Sequence, residues 1–307
     1  MTALRASLEH NGFVTVPNVL ASNEIEKLTE TLARFQDSQQ NPHLAEVPEV
    51  SEIIFSDRIV DLAGELLDGE PMCFPDHTSQ SVGGGFGYHK DSVDRWDPTG
   101  PDWQAEHFPM IRFGIYLEDF RGHSGSLAIQ PGSHRGVQYA RRSVNIKTKP
   151  GDLAAWYFTS THAANSPSPR VAPQHAPRVL INNNRVSRLT CTASRSIATS
   201  RLGSRFMLPY TATRRVVFFP YALNHRLVSR YLSLLMHRDY YQKGLRSDPD
   251  QGARPVAAGQ VKWFNPYSFL DRADPSLTTE GFYQGQASAA ADFLADDIWR
   301  EMQTQLS

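Results

Sequence analysis

Between about residues 70 and 160 the chain breaks into short apolar segments. "MIRFGIYLED", "GSLAIQ", "YARRSVNI" and "DLAAWYF" are rich in β-branched and aromatic residues, and Gly, Pro, Ser and Asp punctuate the intervals. Many short strands separated by turn signals restrict the answer to a sandwich or barrel. Helical signals flank this region. "LRASLEH" before Asn11–Gly12 reads as a short helix, followed by the strand "FVTVP". Asn23 with Glu26 has the spacing of a capping box, and behind it Ile25, Leu28, Leu32 and Phe35 share one helical face. A second amphipathic helix is predicted over 57–67, with Ile59, Leu62, Ala63 and Leu66 as its stripe. "RRVVFFPYAL" reads as a further strand and "LVSRYLSLLMHRDYY" as a helix. The end, "AAADFLADDIWREMQTQL", reads as one closing helix with Ala291, Leu294, Ile298, Met302 and Leu306 along one side. The expected class is mostly β with flanking helices, forming one domain over residues 1–307.

A chain of 307 residues can bury a core that needs neither metal nor disulfide for stability. Cys73 and Cys191 form no spaced zinc or redox motif, so a reducing, cytoplasmic setting is expected. The amino terminus lacks the uninterrupted apolar stretch of a signal peptide, and "VVFFPYAL" is too short to span a bilayer, so no membrane partner is expected. Charge is distributed unevenly. From Leu153 through Arg238 there are twelve arginines and no Asp, Glu or Lys, so all 32 acidic residues lie elsewhere. Seven of those arginines fall in 166–213, a stretch rich in Ser, Asn and Pro that reads as a long Arg-rich insertion and a candidate substrate flap. Its positive field would favour an anionic small-molecule substrate. The bland alternative is a solvated excursion that pairs with the acidic remainder. Phe206 and Tyr210 are too sparse a set of rings for a stacking platform, which argues against nucleic acid. Oligomeric state is left open.

"FGYHKDSVD" places His89 and Asp91 two residues apart. On an extended strand, residues i and i+2 point to the same face, so an imidazole and a carboxylate can converge on one point. Alone, such a triplet is an ordinary polar turn more often than a metal site. The 2-His-1-carboxylate triad of non-heme Fe(II) oxygenases needs another histidine, delivered from a different strand. His162, after the strand-like "DLAAWYF", is the best candidate, with a loop-capping role as its bland alternative. The others fit less well. His10 and His43 lie in the helical amino-terminal part, and His77 and His107 lie in loops. His123 and His134 sit near turns, His175 falls inside the insertion, and His225 and His237 are helix-associated.

Taken in order, "GYHKDSVD", "MIRFGIYLEDFRGHSGSLAIQPGSHRG" and "KPGDLAAWYFTSTHAAN" resemble the phytanoyl-CoA dioxygenase-like family of Fe(II)/2-oxoglutarate-dependent oxygenases. The opening "HNGFVTVPNVLASNEIEKL" is also similar to that family's first helix–strand–helix. The resemblance covers roughly residues 4–165 and 210–240, and it implies a double-stranded β-helix (a jelly roll, cupin-like). It implies Fe(II) held by His89, Asp91 and His162, with 2-oxoglutarate as cosubstrate and O2 as oxidant. The implied activity is hydroxylation, or a related oxidation, of an unactivated C–H bond in a small-molecule metabolite. Halogenating relatives carry a small residue at the aspartate position, so Asp91 favours oxygen chemistry. The family's cosubstrate arginine follows the second histidine after a short turn. Here Arg170 has that offset but lies in "SPSPR", whereas Arg214 opens the apolar "RRVVFFPYAL". A guanidinium fixed on a strand inside the barrel supplies the bidentate fork a carboxylate needs. Arg214 is therefore preferred, with Arg215 on the opposite face. Trp96, Trp103, Trp156 and Tyr157 are candidate pocket walls. The alternative function is a cupin-like metal-dependent enzyme or binding protein that does not use 2-oxoglutarate.

Overall fold

The computed structural model of the chain describes residues 1–38, 44–82, 88–95, 97–121, 126–137, 143–163, 213–238, 255–259, 261–277 and 284–306. Residues 166–212 of the predicted insertion, with Arg170, lie outside the described residues, as do Trp96, His43, His123 and His175.

Among the described residues, ten short strands form two sheets. They are β1 (Phe13–Val16), β2 (Met72–Cys73), β3 (Thr78–Val82), β4 (Met110–Tyr116) and β5 (Ala128–Ile129), then β6 (Val144–Asn145), β7 (Leu153–Tyr157), β8 (His162–Ala163), β9 (Thr213–Ala222) and β10 (Lys262–Trp263). The larger sheet runs β1-β7-β4-β9-β2-β10, with β3 also paired to β9; the smaller runs β6-β5-β8. All pairings are antiparallel except β10 on β2.

The alternation along the central strands explains the layering. Ile111, Phe113 and Ile115 of β4 join Val217, Phe219 and Tyr221 of β9 in the main apolar core, on the face covered by helices. The intervening Tyr116, Trp156, Val216 and Phe218 form a second core with Leu127, Ile129 and Ile146 from in and beside the smaller sheet. The two sheets thus enclose a second, smaller interior between them. Each fully buried Phe contributes about 1.5–3 kcal/mol relative to exposure.

The helices are α1 (Ala3–Asn11), α2 (Ser22–Ser38), α3 (Pro48–Ile54), α4 (Asp57–Leu67), α5 (Arg226–Met236), α6 (Gln284–Phe293) and α7 (Ala295–Gln305). Two expectations need correction. At the start of α2 the capping carboxylate is Glu24, which accepts from the Ala21 backbone N–H at 2.8 Å, so the pair is not Asn23 with Glu26. The closing segment is also two helices rather than one. Ser233 of α5 donates its hydroxyl to the Ala290 carbonyl and accepts from the Leu294 N–H at 3.1 Å. That hydroxyl occupies the i→i−4 link that would have joined α6 to α7. The predicted stripe survives the break, since Ala291, Leu294, Ile298, Met302 and Leu306 are all buried.

α5 also anchors the segment that carries His89 and Asp91. Arg230 grips Asp94 with both terminal nitrogens, at 2.7 and 3.1 Å, and its Nε reaches Asp292 at 2.7 Å. Asp94 and Asp102 each accept the other's backbone N–H at 2.9 Å, and their carboxylates, with that of Asp292, make three around this buried cation. Removing one member of a buried pair strands the rest. Arg230→Met is expected to cost about 3–5 kcal/mol of unfolding free energy, measured by chemical denaturation. A loss below about 1 kcal/mol would show that the cluster is dispensable.

Candidate metal centre

The turn after β7 builds the site. The Phe158 carbonyl accepts the backbone N–H groups of Asp91 (2.9 Å) and Ser92 (3.1 Å), while His89 and His162 exchange backbone hydrogen bonds at 2.8 and 2.9 Å. His89 is thus held by an isolated antiparallel bridge to His162, not within the continuous strand expected for this triplet. The extended geometry still applies. His89 and Asp91 turn one way, and Lys90 turns the other, where its ammonium donates to the carbonyls of Thr159 (2.7 Å) and Ser133. Lys90 is fully buried, which pushes its pKa down to about 7.

The ligand-type atoms of His89, Asp91 and His162 all lie within 4.8 Å of one another. His89 Nε2 is 3.7 Å from Asp91 Oδ1, and His162 Nε2 is 3.8 Å from Asp91 Oδ2. The imidazole centroids are 4.4 Å apart. His162 Nδ1 lies 3.0 Å from the Ser160 carbonyl, an atom that can only accept. Nδ1 therefore carries the hydrogen and leaves the Nε2 lone pair turned toward Asp91, the orienting arrangement typical of metal-binding histidines. Two imidazoles and one carboxylate on one side of a point fit a divalent first-row metal with open positions.

Electrostatics keep Asp91 and His162 in metal-ready form. Burial acts to raise the Asp91 carboxyl, but Arg112 and the neighbouring imidazoles outweigh it and hold it well below the usual carboxylate range. Burial, reinforced by His89, pushes His162 down to about 3. An imidazole depressed in this way is neutral in the folded state while its unfolded counterpart, with a pKa of 6.5, binds a proton. The metal-free protein should therefore lose stability as pH falls from about 6.5 toward 3. In imidazole nitrogen NMR His162 is expected to stay neutral down to about pH 4; titration near 6.5 would contradict this burial.

Behind the triad lies the interior between the sheets. Arg112, Gly114 and Tyr116 of β4 face it, in register with Trp156 and Ala154 of β7 and with Pro220, Phe218 and Val216 of β9. Trp156 packs 5.5 Å from the His162 ring and 5.8 Å edge-on to Phe218. Arg214, 1% exposed, places its guanidinium 5.4 Å from the Phe218 ring and 5.8 Å from the Tyr116 ring. Arg215 points away and pairs with Glu118 at 2.6 Å. Between these levels Gly114 lies between Ala154 and Phe218, and the aromatic rings fill the space a side chain would need: a Cβ there would come 2.9 Å from the Phe218 ring and 3.2 Å from Trp156. Of the predicted pocket walls, Trp156 lines this interior, whereas Tyr157 belongs to the main core and Trp103 lies 5.3 Å from the Lys90 ammonium.

Sequence reasoning missed Tyr116 and Arg112. Both stand on the face of "MIRFGIY" that also carries Gly114, and a lone arginine amid apolar residues was the available signal. Among the described residues no helix is long and apolar enough to cross a membrane.

No protein-family model matches the chain, and neither does any curated protein. Solved structures similar to it include AviO1 from Streptomyces viridochromogenes Tue57, at 18% identity and a TM-score of 0.45 over 72% of this chain and 94% of that one. HygX from Streptomyces hygroscopicus, with nickel and 2-oxoglutarate bound, aligns at 14% identity and a TM-score of 0.49 over 72% and 87%. EctD from S. alaskensis, with 2-oxoglutarate and 5-hydroxyectoine, aligns at 15% and 0.46 over 72% and 76%. Likeness at this level assigns no role to any residue here.

Proposed function

We propose that the chain is a non-heme Fe(II)- and 2-oxoglutarate-dependent oxygenase of the phytanoyl-CoA dioxygenase-like type, built on a double-stranded β-helix, that oxidises a C–H bond of a small-molecule metabolite. The observation that carries this reading is the His89–Asp91–His162 cluster at one end of an interior whose other end holds the buried Arg214. When bound, Fe(II) with 2-oxoglutarate and O2 supplies the oxidising power, and the cosubstrate leaves as succinate and CO2. The chain's own residues bind, orient and exclude water. His89, Asp91 and His162 would hold the ion on one side and leave the other side open. Arg214 would take the distal carboxylate of 2-oxoglutarate as a bidentate fork, with the buried Tyr116 hydroxyl beside it as a further donor.

The dimensions suit that division of labour. From Arg112 to Tyr116 the extended strand spans roughly 13 Å, a separation of the two levels comparable with the reach of a five-carbon dicarboxylate and its two partners. Tyr116 and Phe218 flank the buried guanidinium and keep water from it, which strengthens its hold on a carboxylate. Arg238 lies 5.6 Å from the Tyr231 ring and adds to the positive field acting on Asp91, and an anionic substrate is part of the proposal. The reading is tested by supplying Fe(II), 2-oxoglutarate and air and following succinate. Stoichiometric formation from 2-oxoglutarate supports it. Metal binding without any 2-oxoglutarate consumption would favour a metal-dependent protein of another kind.

A further inference from the structure

Arg112 has no role in that account, yet it is buried at the centre of β4 and touches a proposed ligand. Its Nε donates to Asp91 Oδ2 at 3.2 Å. Its other nitrogens turn the opposite way: Nη2 donates to Asp76 Oδ2 at 2.6 Å, and Nη1 donates to the Asp76 carbonyl at 3.2 Å. The Tyr231 hydroxyl closes the cluster by donating to Asp76 Oδ2 at 2.7 Å while accepting from Arg112 Nη2 at 3.3 Å. The guanidinium also lies 4.6 Å over the Phe158 ring, and the Phe158 carbonyl holds the Asp91 backbone. Backbone and side chain of Asp91 are therefore fixed from one place.

We propose that Arg112 is the positioning residue for Asp91: it grips Oδ2 so that the carboxylate meets the ion in one rotamer, with Oδ1 turned toward His89. This rests on the metal-centre reading above. A guanidinium near a divalent cation is repelled by it, so its contribution has to be geometric rather than a gain in field. Asp76 supplies the compensating charge, and Tyr231 orients Asp76. The chain Tyr231–Asp76–Arg112–Asp91 ties α5 to the metal ligand, one residue along from Arg230, which ties the same helix to Asp94. Only a planar fork serves both carboxylates at once; a lysine has one point of charge for two demands.

Anaerobic titration of the full chain with Co(II) tests this, read by affinity and by the visible d–d bands that report coordination geometry. Arg112→Lys keeps the charge and loses the fork. It is expected to weaken Co(II) binding about 10- to 100-fold, the usual cost of losing an outer partner of a ligand, and to change the position or intensity of the bands. Tyr231→Phe leaves Arg112 in place and loosens it from behind, so it should move the same bands less; it carries the test if Arg112→Lys does not fold. A purely structural role would lower thermal stability and leave the spectrum of the bound ion unchanged. Wild-type affinity and spectrum in the folded variants would overturn the proposal. His162→Ala is the control for the underlying reading: if it binds Co(II) like the wild type, the metal centre itself has been misassigned.

Discussion

Asp91→Ala will lose metal binding and 2-oxoglutarate turnover together, by more than the roughly 10- to 100-fold that losing an outer partner costs. Two effects add. The substitution deletes the only anionic donor of the cluster and leaves two imidazoles to hold a divalent ion. It also strips Arg112 of one of its two carboxylate partners, so an incompletely compensated cation faces the site. Equilibrium dialysis with Fe(II) under anaerobic conditions, paired with a succinate assay in air, separates binding from turnover. Retained stoichiometric binding with wild-type turnover would remove Asp91 from the account.

Arg214→Lys should raise the KM for 2-oxoglutarate by about 10- to 100-fold, with a smaller change in kcat. A charged hydrogen bond is worth roughly 1.5–3 kcal/mol, and each 1.4 kcal/mol is a factor of ten. The lysine keeps a positive charge in the same dry pocket between Tyr116 and Phe218, so the loss reports the second prong of the fork and the shorter reach. Steady-state kinetics with 2-oxoglutarate varied at fixed Fe(II) and O2 measures it. An unchanged KM would mean that another group takes the distal carboxylate, Arg170 being the alternative raised from the sequence.

The elements whose signals were local were legible in the chain. The stripe Ile59, Leu62, Ala63 and Leu66 forms a helix over Asp57–Leu67, and "MIRFGIY" and "LAAWY" form adjacent strands. The three proposed ligands are brought together in space, although His89 sits on a single bridge rather than in a ladder. What escaped depends on distant partners. Nothing near Leu294 says that Ser233, on another helix, will take its N–H and divide the closing helix in two. Nothing near Arg112 names Asp76 or Tyr231, which lie 36 residues before it and 119 after it. The 2.0-residue period does place Arg112, Gly114 and Tyr116 on one face, but only the pairing with Trp156 and Phe218 shows that this face is the interior beside the cluster. The α2 cap was misplaced because Ser, Asn and Glu at its start offer more than one reasonable pairing.

The most direct test is anaerobic addition of Fe(II) and then 2-oxoglutarate to the purified chain, followed by visible absorption. A weak metal-to-ligand charge-transfer band that requires both additions, titrates to one per chain and is absent from His162→Ala is the predicted result. One tightly bound Fe(II) with no band at saturating 2-oxoglutarate, or a band that survives the loss of His162, would contradict the account.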